Sequence, residues 1–285
     1  MIKEEEKLEI RDRLVAYCEQ KGSQNKGANS LNGVSPATVS KIINGEWELI
    51  NEVMWRSIAA QIGMKNKNWN IVETRDFKAL AAMLADAQEN AMVMAVCGDA
   101  GSGKTLTIRH YAESNPNVFV LSCNEYWNRK LFLQELLREM GCNPNGDTVG
   151  EMMASIVGRL KKMENPIIIM DEADKLGDQV MYFFITLYNQ LEDHCAIVMV
   201  ATDYLEKKIK RGLRLNKKGY KEIYSRIGRK FIMLKGVCIG DITEVCMANG
   251  ITAKSDIKSV IEDCDGDLRR VKRRCHAIGK INQKK

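Results

Sequence analysis

The chain has 285 residues, of which 45% are hydrophobic and 28% are charged, and its formal net charge is +6. This composition is typical of a globular protein and indicates neither a disordered chain nor a membrane protein. The apolar runs, such as 91–97 and 167–170, are far shorter than the roughly 20 residues that cross a bilayer, and the acidic start lacks the features of a signal peptide. We therefore expect a cytoplasmic protein of two or three domains without membrane contact.

The nine cysteines are scattered and form no C-x-x-C pair. Their odd number and spacing argue against a disulfide framework and against a zinc site, so we expect reduced thiols. The mild positive charge permits a polyanionic partner but does not require one.

Residues 1–65 show helical periodicity, beginning with Ile10, Leu14 and Cys18 on one face of a first helix. No strand pattern occurs there, so we predict an all-helical domain. The polar segment 65–70 then predicts a boundary, and residues 66–90 are interpreted as a linker and the entry to the next domain.

Within the first domain, residues 33–45 resemble the turn and recognition helix of a phage-repressor helix-turn-helix. Ser35 is suited to cap the helix, Pro36 to occupy its first turn and Gly45 to end it. The resemblance offers Thr38 and Lys41 to a DNA groove. A small helical protein-interaction domain is the alternative interpretation.

Residues 91–235 alternate apolar runs with longer amphipathic stretches, a pattern typical of a parallel sheet covered by helices. The fold class is therefore α/β, with five predicted strands: 92–97, 118–122, 167–171, 196–202 and 230–234. Residues 236–285 become helical again, over 241–248, 255–264 and 267–280, with Ser255 and Asp267 as predicted N-caps.

A glycine-rich segment links the first predicted strand to a helix, the context that a phosphate-binding loop requires. It fits G-x-x-x-x-G-K-[ST] and consists of Gly98, Asp99, Ala100, Gly101, Ser102, Gly103, Lys104 and Thr105. Its backbone N–H groups and the helix N-terminus attract phosphate oxygens. Lys104 would reach the β- and γ-phosphates of ATP, and the Thr105 hydroxyl would bind Mg²⁺.

The third predicted strand ends in Asp171 and Glu172, at the edge where ligands of open α/β sheets bind. Asp171 would coordinate Mg²⁺ through water, and Glu172 would act as general base on the attacking water. A solvated turn is the alternative for this pair when it is considered alone. Beside a phosphate loop, the pair predicts a Mg²⁺-dependent ATPase site.

With these two motifs, residues 71–280 resemble the AAA+ ATPases, which implies a P-loop core with a helical lid. The resemblance places Thr202 at the sensor 1 position, although Asp203 beside it leaves that choice open. It also implies that Arg226 projects into a neighbouring subunit's ATP site, and that Arg269, within 266–270, contacts the γ-phosphate from the lid. A site completed in trans implies self-association.

A basic segment separates the sensor 1 position from Arg226, and no acidic residue interrupts it. Its cations are Lys207, Lys208, Lys210, Arg211, Arg214, Lys217, Lys218 and Lys221. Phosphates offset the repulsion among such charges by releasing counterions, so we predict contact with duplex DNA, with a solvated face as the alternative. A second cluster at 269–274 overlaps sensor 2, so its residues divide between ATP and DNA. Neither cluster carries the interleaved aromatic residues of a single-strand platform.

A helix-turn-helix domain, a compact AAA+ core with a basic segment and a small helical lid together resemble the Mu phage transposition protein B (MuB) family. This resemblance implies an ATP-dependent, largely sequence-nonspecific ATPase that assembles on duplex DNA as a ring or helical filament and delivers it to a transposase. Two alternatives stay open: a helicase-loading ATPase that prefers single strands, and a DNA-binding regulator switched by ATP.

Overall fold

The computed structural model describes residues 4–48, 50–62, 69–144 and 146–282. In chain order its elements are α1 (Glu4–Gln20), α2 (Gln24–Ser30), α3 (Pro36–Asn44), α4 (Glu52–Gln61), α5 (Arg75–Glu89), β1 (Val93–Cys97), α6 (Lys104–Ser114), β2 (Val118–Ser122), α7 (Arg129–Glu139), α8 (Val149–Leu160), β3 (Ile167–Asp171), a 3-10 helix (Ala173–Lys175), α9 (Asp178–Leu191), β4 (Ala196–Ala201), α10 (Tyr204–Arg214), α11 (Tyr220–Arg226), β5 (Phe231–Met233), α12 (Ile239–Ala248), α13 (Lys254–Cys264) and α14 (Leu268–Asn282).

The chain divides into two compact units, one of residues 1–67 and 129–158, the other of 68–128 and 159–285. The predicted division at 1–65, 66–90, 91–235 and 236–285 stays a prediction. Residues 65–68 of the predicted boundary and 283–285 of the predicted lid lie outside the described residues.

The core of the first unit contains Ile10, Leu14 and Cys18 of α1, the three residues whose spacing predicts a buried helix face. The caps of α3 are also as predicted. Ser35 accepts a hydrogen bond from the Thr38 N–H at 3.1 Å, and Gly45 ends the helix with φ of 84°. Side-chain chemistry in the sequence therefore sets both ends of α3.

The second unit contains a five-stranded parallel sheet in the order β2-β3-β4-β1-β5, which confirms the predicted fold class. Each strand lies within one residue of its predicted ends. β3 and β4 are buried along their whole length, which explains their continuous apolar sequences. Residues 75–89, in the predicted entry to the core, form α5, whose buried Leu80 and Leu84 pack in the same core as the sheet.

The helices α12, α13 and α14 enclose a small core of their own. Asp267 precedes α14 and accepts a hydrogen bond from the Arg269 N–H at 2.7 Å, as an N-cap does. The prediction that Ser255 caps α13 is wrong, because the helix begins at Lys254 and Ala253 is its N-cap. Ser255 therefore lies inside the first turn.

None of the helices in the described ranges is both long enough and apolar enough to traverse a bilayer.

Candidate nucleotide-binding site

The order of the sheet determines which loops meet. The strands β3, β4 and β1 are parallel neighbours, so the segments that follow them emerge side by side at one edge. These segments carry Asp171, Thr202 and the phosphate loop. Sequence reasoning predicts each of the three, and the strand order brings them together.

The phosphate loop turns sharply between β1 and α6. Gly101 and Gly103 have φ of 79° and 96°, in the left-handed region that glycine adopts without a Cβ clash. A Cβ on Gly101 would also collide with the carboxylate of Asp267 at the start of α14. In addition, the Leu268 N–H donates to the Gly101 carbonyl at 3.0 Å. The loop is thus in direct contact with the segment that carries Arg269.

Lys104 lies within the curve of this loop. Its ammonium donates to the carbonyls of Gly98 at 2.8 Å and Asp99 at 2.7 Å. Burial lowers the pKa of Lys104, the carboxylates of Asp171 and Asp99 oppose that shift, and the Arg269 cation adds to it. The Lys104 ammonium and the Arg269 guanidinium therefore both contribute positive charge at the phosphate loop, as binding of a polyphosphate requires.

Asp171 is only 3% exposed, and its Oδ2 accepts a hydrogen bond from the Thr105 hydroxyl at 2.7 Å. The Glu172 N–H donates to Oδ1 at 3.0 Å. Burial raises the pKa of Asp171, while these two hydrogen bonds oppose the shift. A hydroxyl and a buried carboxylate in contact beside a phosphate loop match the hard oxygen ligands that Mg²⁺ prefers, so these residues fit the predicted metal.

Glu172 has φ of 55°, an uncommon conformation for a residue with a Cβ. Its side chain is 47% exposed and forms an ion pair with Lys175 at 2.6 Å. The predicted general base is therefore accessible to water but is engaged by a cation three residues away.

The Thr202 hydroxyl donates to Oδ2 of Asp174 at 3.1 Å, whereas Asp203 forms an ion pair with Lys207 on the surface of α10. Thr202 thus contacts the turn that follows β3, whereas Asp203 is engaged on α10, and the choice of sensor 1 stays a prediction. Sequence reasoning missed Asp174 and Lys175. Both stand within four residues of Asp171, so their proximity to that strand end was the available signal.

Arg226 lies against α9. Its guanidinium donates to the Asn189 side chain at 3.1 Å, lies 3.9 Å from a Glu192 carboxylate oxygen and stacks over the Tyr188 ring at 4.7 Å. Among the contacts of the described residues, none joins Arg226 to the phosphate loop of its own chain. Its predicted action in a neighbouring subunit stays a prediction.

The predicted DNA-contacting cations have unequal surroundings. Lys207 forms an ion pair with Asp203, Lys210 with Glu206 and Lys217 with Asp178. Lys218 lies over the Tyr182 ring. Lys208 is half-buried, and its ammonium donates to backbone carbonyls, so it does not face solvent as the DNA prediction requires. Within the described chain, three members are exposed and have neither an acidic partner nor an aromatic ring beneath the charge: Arg211, Arg214 and Lys221.

The cations of the second cluster, 269–274, also have unequal surroundings. Arg270 and Arg274 form ion pairs with Asp263 of α13, and Lys272 lies over the Trp69 ring. Arg269 is exposed beside the phosphate loop.

In the first unit, the predicted groove-contacting residues of α3, Thr38 and Lys41, are both partly exposed. The Thr38 hydroxyl is within 2.9 Å of the Ser35 hydroxyl, so one of its hydrogen-bonding positions is already used.

A model of the AAA domain family matches residues 86–209, from the end of α5 into α10. The match includes the phosphate loop, Asp171, Glu172 and Thr202, but it ends before Arg226 and Arg269. The fold and the site therefore define an α/β P-loop protein that is similar to the AAA domain over residues 86–209.

The chain is also similar to the ATP-dependent target DNA activator B of Escherichia phage Mu and to that of Escherichia phage D108. It is 27% identical to each over 180 residues, which cover 61% of this chain and 57% of the relative. The Mu-like prophage FluMu DNA transposition protein B of Haemophilus influenzae is 24% identical over 192 residues, 67% of this chain and 65% of the relative. The matched regions thus span about three fifths of these relatives. The predicted resemblance to MuB-like AAA ATPases is confirmed.

Proposed function

We propose that the protein binds and hydrolyses ATP with Mg²⁺ at the edge formed by β3, β4 and β1. Lys104 and the loop N–H groups bind the phosphates, and Thr105 and Asp171 hold the metal, which neutralises charge on the transferred phosphoryl group. Glu172 orients and deprotonates the attacking water, and Thr202 positions it. Arg269 contacts the γ-phosphate from α14.

We further propose that ATP-bound subunits assemble on duplex DNA as a ring or filament, with Arg226 completing the neighbour's site, and that the assembly delivers this DNA to a transposase in the cytoplasm. The names of the phage relatives, which activate target DNA in an ATP-dependent manner, support this role. The exposed cations of α10 and α11 support contact with phosphates. Thr38 and Lys41 would add contacts from α3.

The observation that carries the ATPase proposal is the contact of Thr105 with the buried Asp171 beside the loop that encloses Lys104. Two variants at one position test it. Thr105→Ser keeps the hydroxyl, so it should retain Mg²⁺-dependent hydrolysis. Thr105→Val has nearly the same shape without the hydroxyl and should hydrolyse ATP more slowly, by on the order of a hundredfold. Hydrolysis by the Val variant at the parental rate would contradict the proposed metal site.

The DNA proposal is tested with the unaltered protein and a nonhydrolysable ATP analogue. Duplex of unrelated sequences should bind with similar affinity and more tightly than single strands of the same length. A preference for single strands would instead support a helicase-loading role, and binding to one operator-like sequence would support a regulator.

A further inference from the structure

Helix α10 has two different faces. Leu205, Ile209 and Gly212 point inward and are buried. Lys208 stands among them at helical spacing, and its side chain is half-buried on the same face. Arg211 and Arg214 are exposed on other sides of the helix. The basic segment is therefore not one uniform cationic surface.

The Lys208 ammonium donates to the backbone carbonyl of Asp174 at 2.8 Å and to that of Leu176. These carbonyls belong to the end of the short 3-10 helix, where the helix itself provides no donor. Burial lowers the pKa of Lys208, and the carboxylates of Asp178 and Asp174 oppose the shift. Lys208 thus supplies donors to a segment that would otherwise lack them.

That segment determines the environment of Glu172. The two carbonyls flank Lys175, the residue whose ammonium forms an ion pair with the Glu172 carboxylate. The side chain of Asp174 accepts a hydrogen bond from the Thr202 hydroxyl. One ammonium on α10 is therefore bonded directly to the turn that carries both the predicted base and its cationic partner.

A second connection joins the same two regions. Asp178, at the start of α9, accepts hydrogen bonds from Lys217 at 2.7 Å and from the Tyr220 hydroxyl at 2.6 Å. These two hydrogen bonds lower the pKa of Asp178. The ring of Tyr220 also lies where a Cβ on Gly212 would be, which keeps α10 and α11 close together. A displacement of α10 would thus be transmitted to residues 172–178.

We propose that Lys208 is a positioning residue, not a DNA ligand, and that a duplex bound to the exposed cations of α10 acts on Glu172 through the bond between Lys208 and the 3-10 helix. The proposal rests on the proposed ATP hydrolysis and duplex binding. It gives the basic segment two roles: its outer face binds phosphate, and its inner face adjusts the catalytic turn.

The first measurement uses the full chain and three variants at two positions. Lys208→Met removes the ammonium and keeps an unbranched apolar side chain, whereas Lys208→Arg keeps donors. Lys258→Met removes an exposed charge from α13, away from the site. Hydrogen exchange of peptides covering 172–178 is measured without nucleotide or DNA, and thermal melting confirms folding. Exchange should become faster in Lys208→Met, return towards the parental rate in Lys208→Arg and stay unchanged in Lys258→Met.

The second measurement is ATP hydrolysis at saturating duplex. Lys208→Met should lower kcat on the order of ten- to a hundredfold with KM for ATP little changed, because the base is displaced and the phosphate site is intact. Its duplex affinity should stay within about twofold of the parental value. Arg211→Met, as a comparison, should weaken duplex binding and lower the slope of log affinity against log salt by about 0.9, as the loss of one phosphate contact does.

The outcomes distinguish a positioning role for Lys208 from a role as a phosphate ligand. If Lys208→Met weakens duplex binding as Arg211→Met does and hydrolyses at the parental kcat, Lys208 is a phosphate ligand and the proposal is overturned. Unchanged exchange at 172–178 in folded Lys208→Met also overturns it. Faster exchange in that variant, together with a parental protein that hydrolyses no ATP, would instead retain the positioning role and refute the proposed ATPase.

Discussion

The surroundings of the basic cations predict which of them determine the salt dependence of DNA binding. Arg211, Arg214 and Lys221 are exposed with neither an acidic partner nor, unlike Lys218, an aromatic ring beneath the charge in the described chain, and we call them the unpaired cations. Lys207 and Lys210 already have carboxylates four residues away. A phosphate would have to displace those carboxylates and would be repelled by them. We therefore expect the three unpaired cations to release most of the counterions.

The magnitude follows from the number of phosphates that these cations neutralise. Each neutralised phosphate contributes about −0.9 to the slope of log affinity against log salt, so replacing all three unpaired cations with Ala should reduce the slope by up to about 2.7. Between 50 and 200 mM salt, each phosphate contact contributes a factor of about 3.5 to the loss of affinity. Over this range the triple variant should therefore lose about 40-fold less affinity than the parent does. The assay is fluorescence anisotropy of a labelled duplex across a salt series with a nonhydrolysable ATP analogue.

The matched control is the double variant Lys207→Ala, Lys210→Ala, which should change the slope much less although it removes two charges from the same helix. ATP affinity should be similar in both variants and in the parent, and both should still assemble. A larger slope change in the double variant, or no change in the triple variant, would refute the conclusion that cations paired with carboxylates contribute less to duplex binding than the unpaired cations do.

Three further predictions concern the nucleotide site. Glu172→Gln should bind Mg²⁺-ATP with parental affinity but hydrolyse it on the order of 10² to 10⁴ times more slowly, measured by phosphate release, because the amide cannot act as the base. A mixture of Arg226→Ala and Lys104→Ala proteins should hydrolyse ATP where neither does alone, since some interfaces then combine an intact loop with an intact arginine. Gly101→Ala should lower the free energy of unfolding by at least about 1–2 kcal/mol in a denaturant titration, because alanine is strained at this φ.

Each of these three predictions would be contradicted by a different result. Parental hydrolysis by Glu172→Gln would exclude Glu172 as the base. Inactivity of mixtures that demonstrably co-assemble would count against Arg226 acting in trans. For the loop, Gly98→Ala is a useful comparison, because Gly98 lacks a positive φ, although a Cβ there would contact the Leu234 side chain tightly, at 3.0–3.4 Å. If the Gly98 variant were destabilised as much as the Gly101 variant, left-handed strain would not be the cause.

Local sequence determines much of this protein. The spacing of Ile10, Leu14 and Cys18 predicts a buried helix face, because such a pattern depends only on helical geometry. The strands are predicted within one residue, and for β3 and β4 this is because continuous apolar runs of this length fit strands buried on both faces. The phosphate loop is a single contiguous segment, so its position between β1 and α6 follows from the sequence alone.

Pairings between distant segments are decided by the tertiary structure. Thr105 and Asp171 are 66 residues apart in the sequence, and they touch because β3, β4 and β1 are neighbours, an order that periodicity does not encode. The contact of Thr202 with Asp174 has the same origin. Charge alone groups Lys208 with its basic neighbours. The direction of the Lys208 side chain is set only when α10 packs its apolar face inward. The ammonium then donates to carbonyls at the end of the 3-10 helix, which have no donor within that helix.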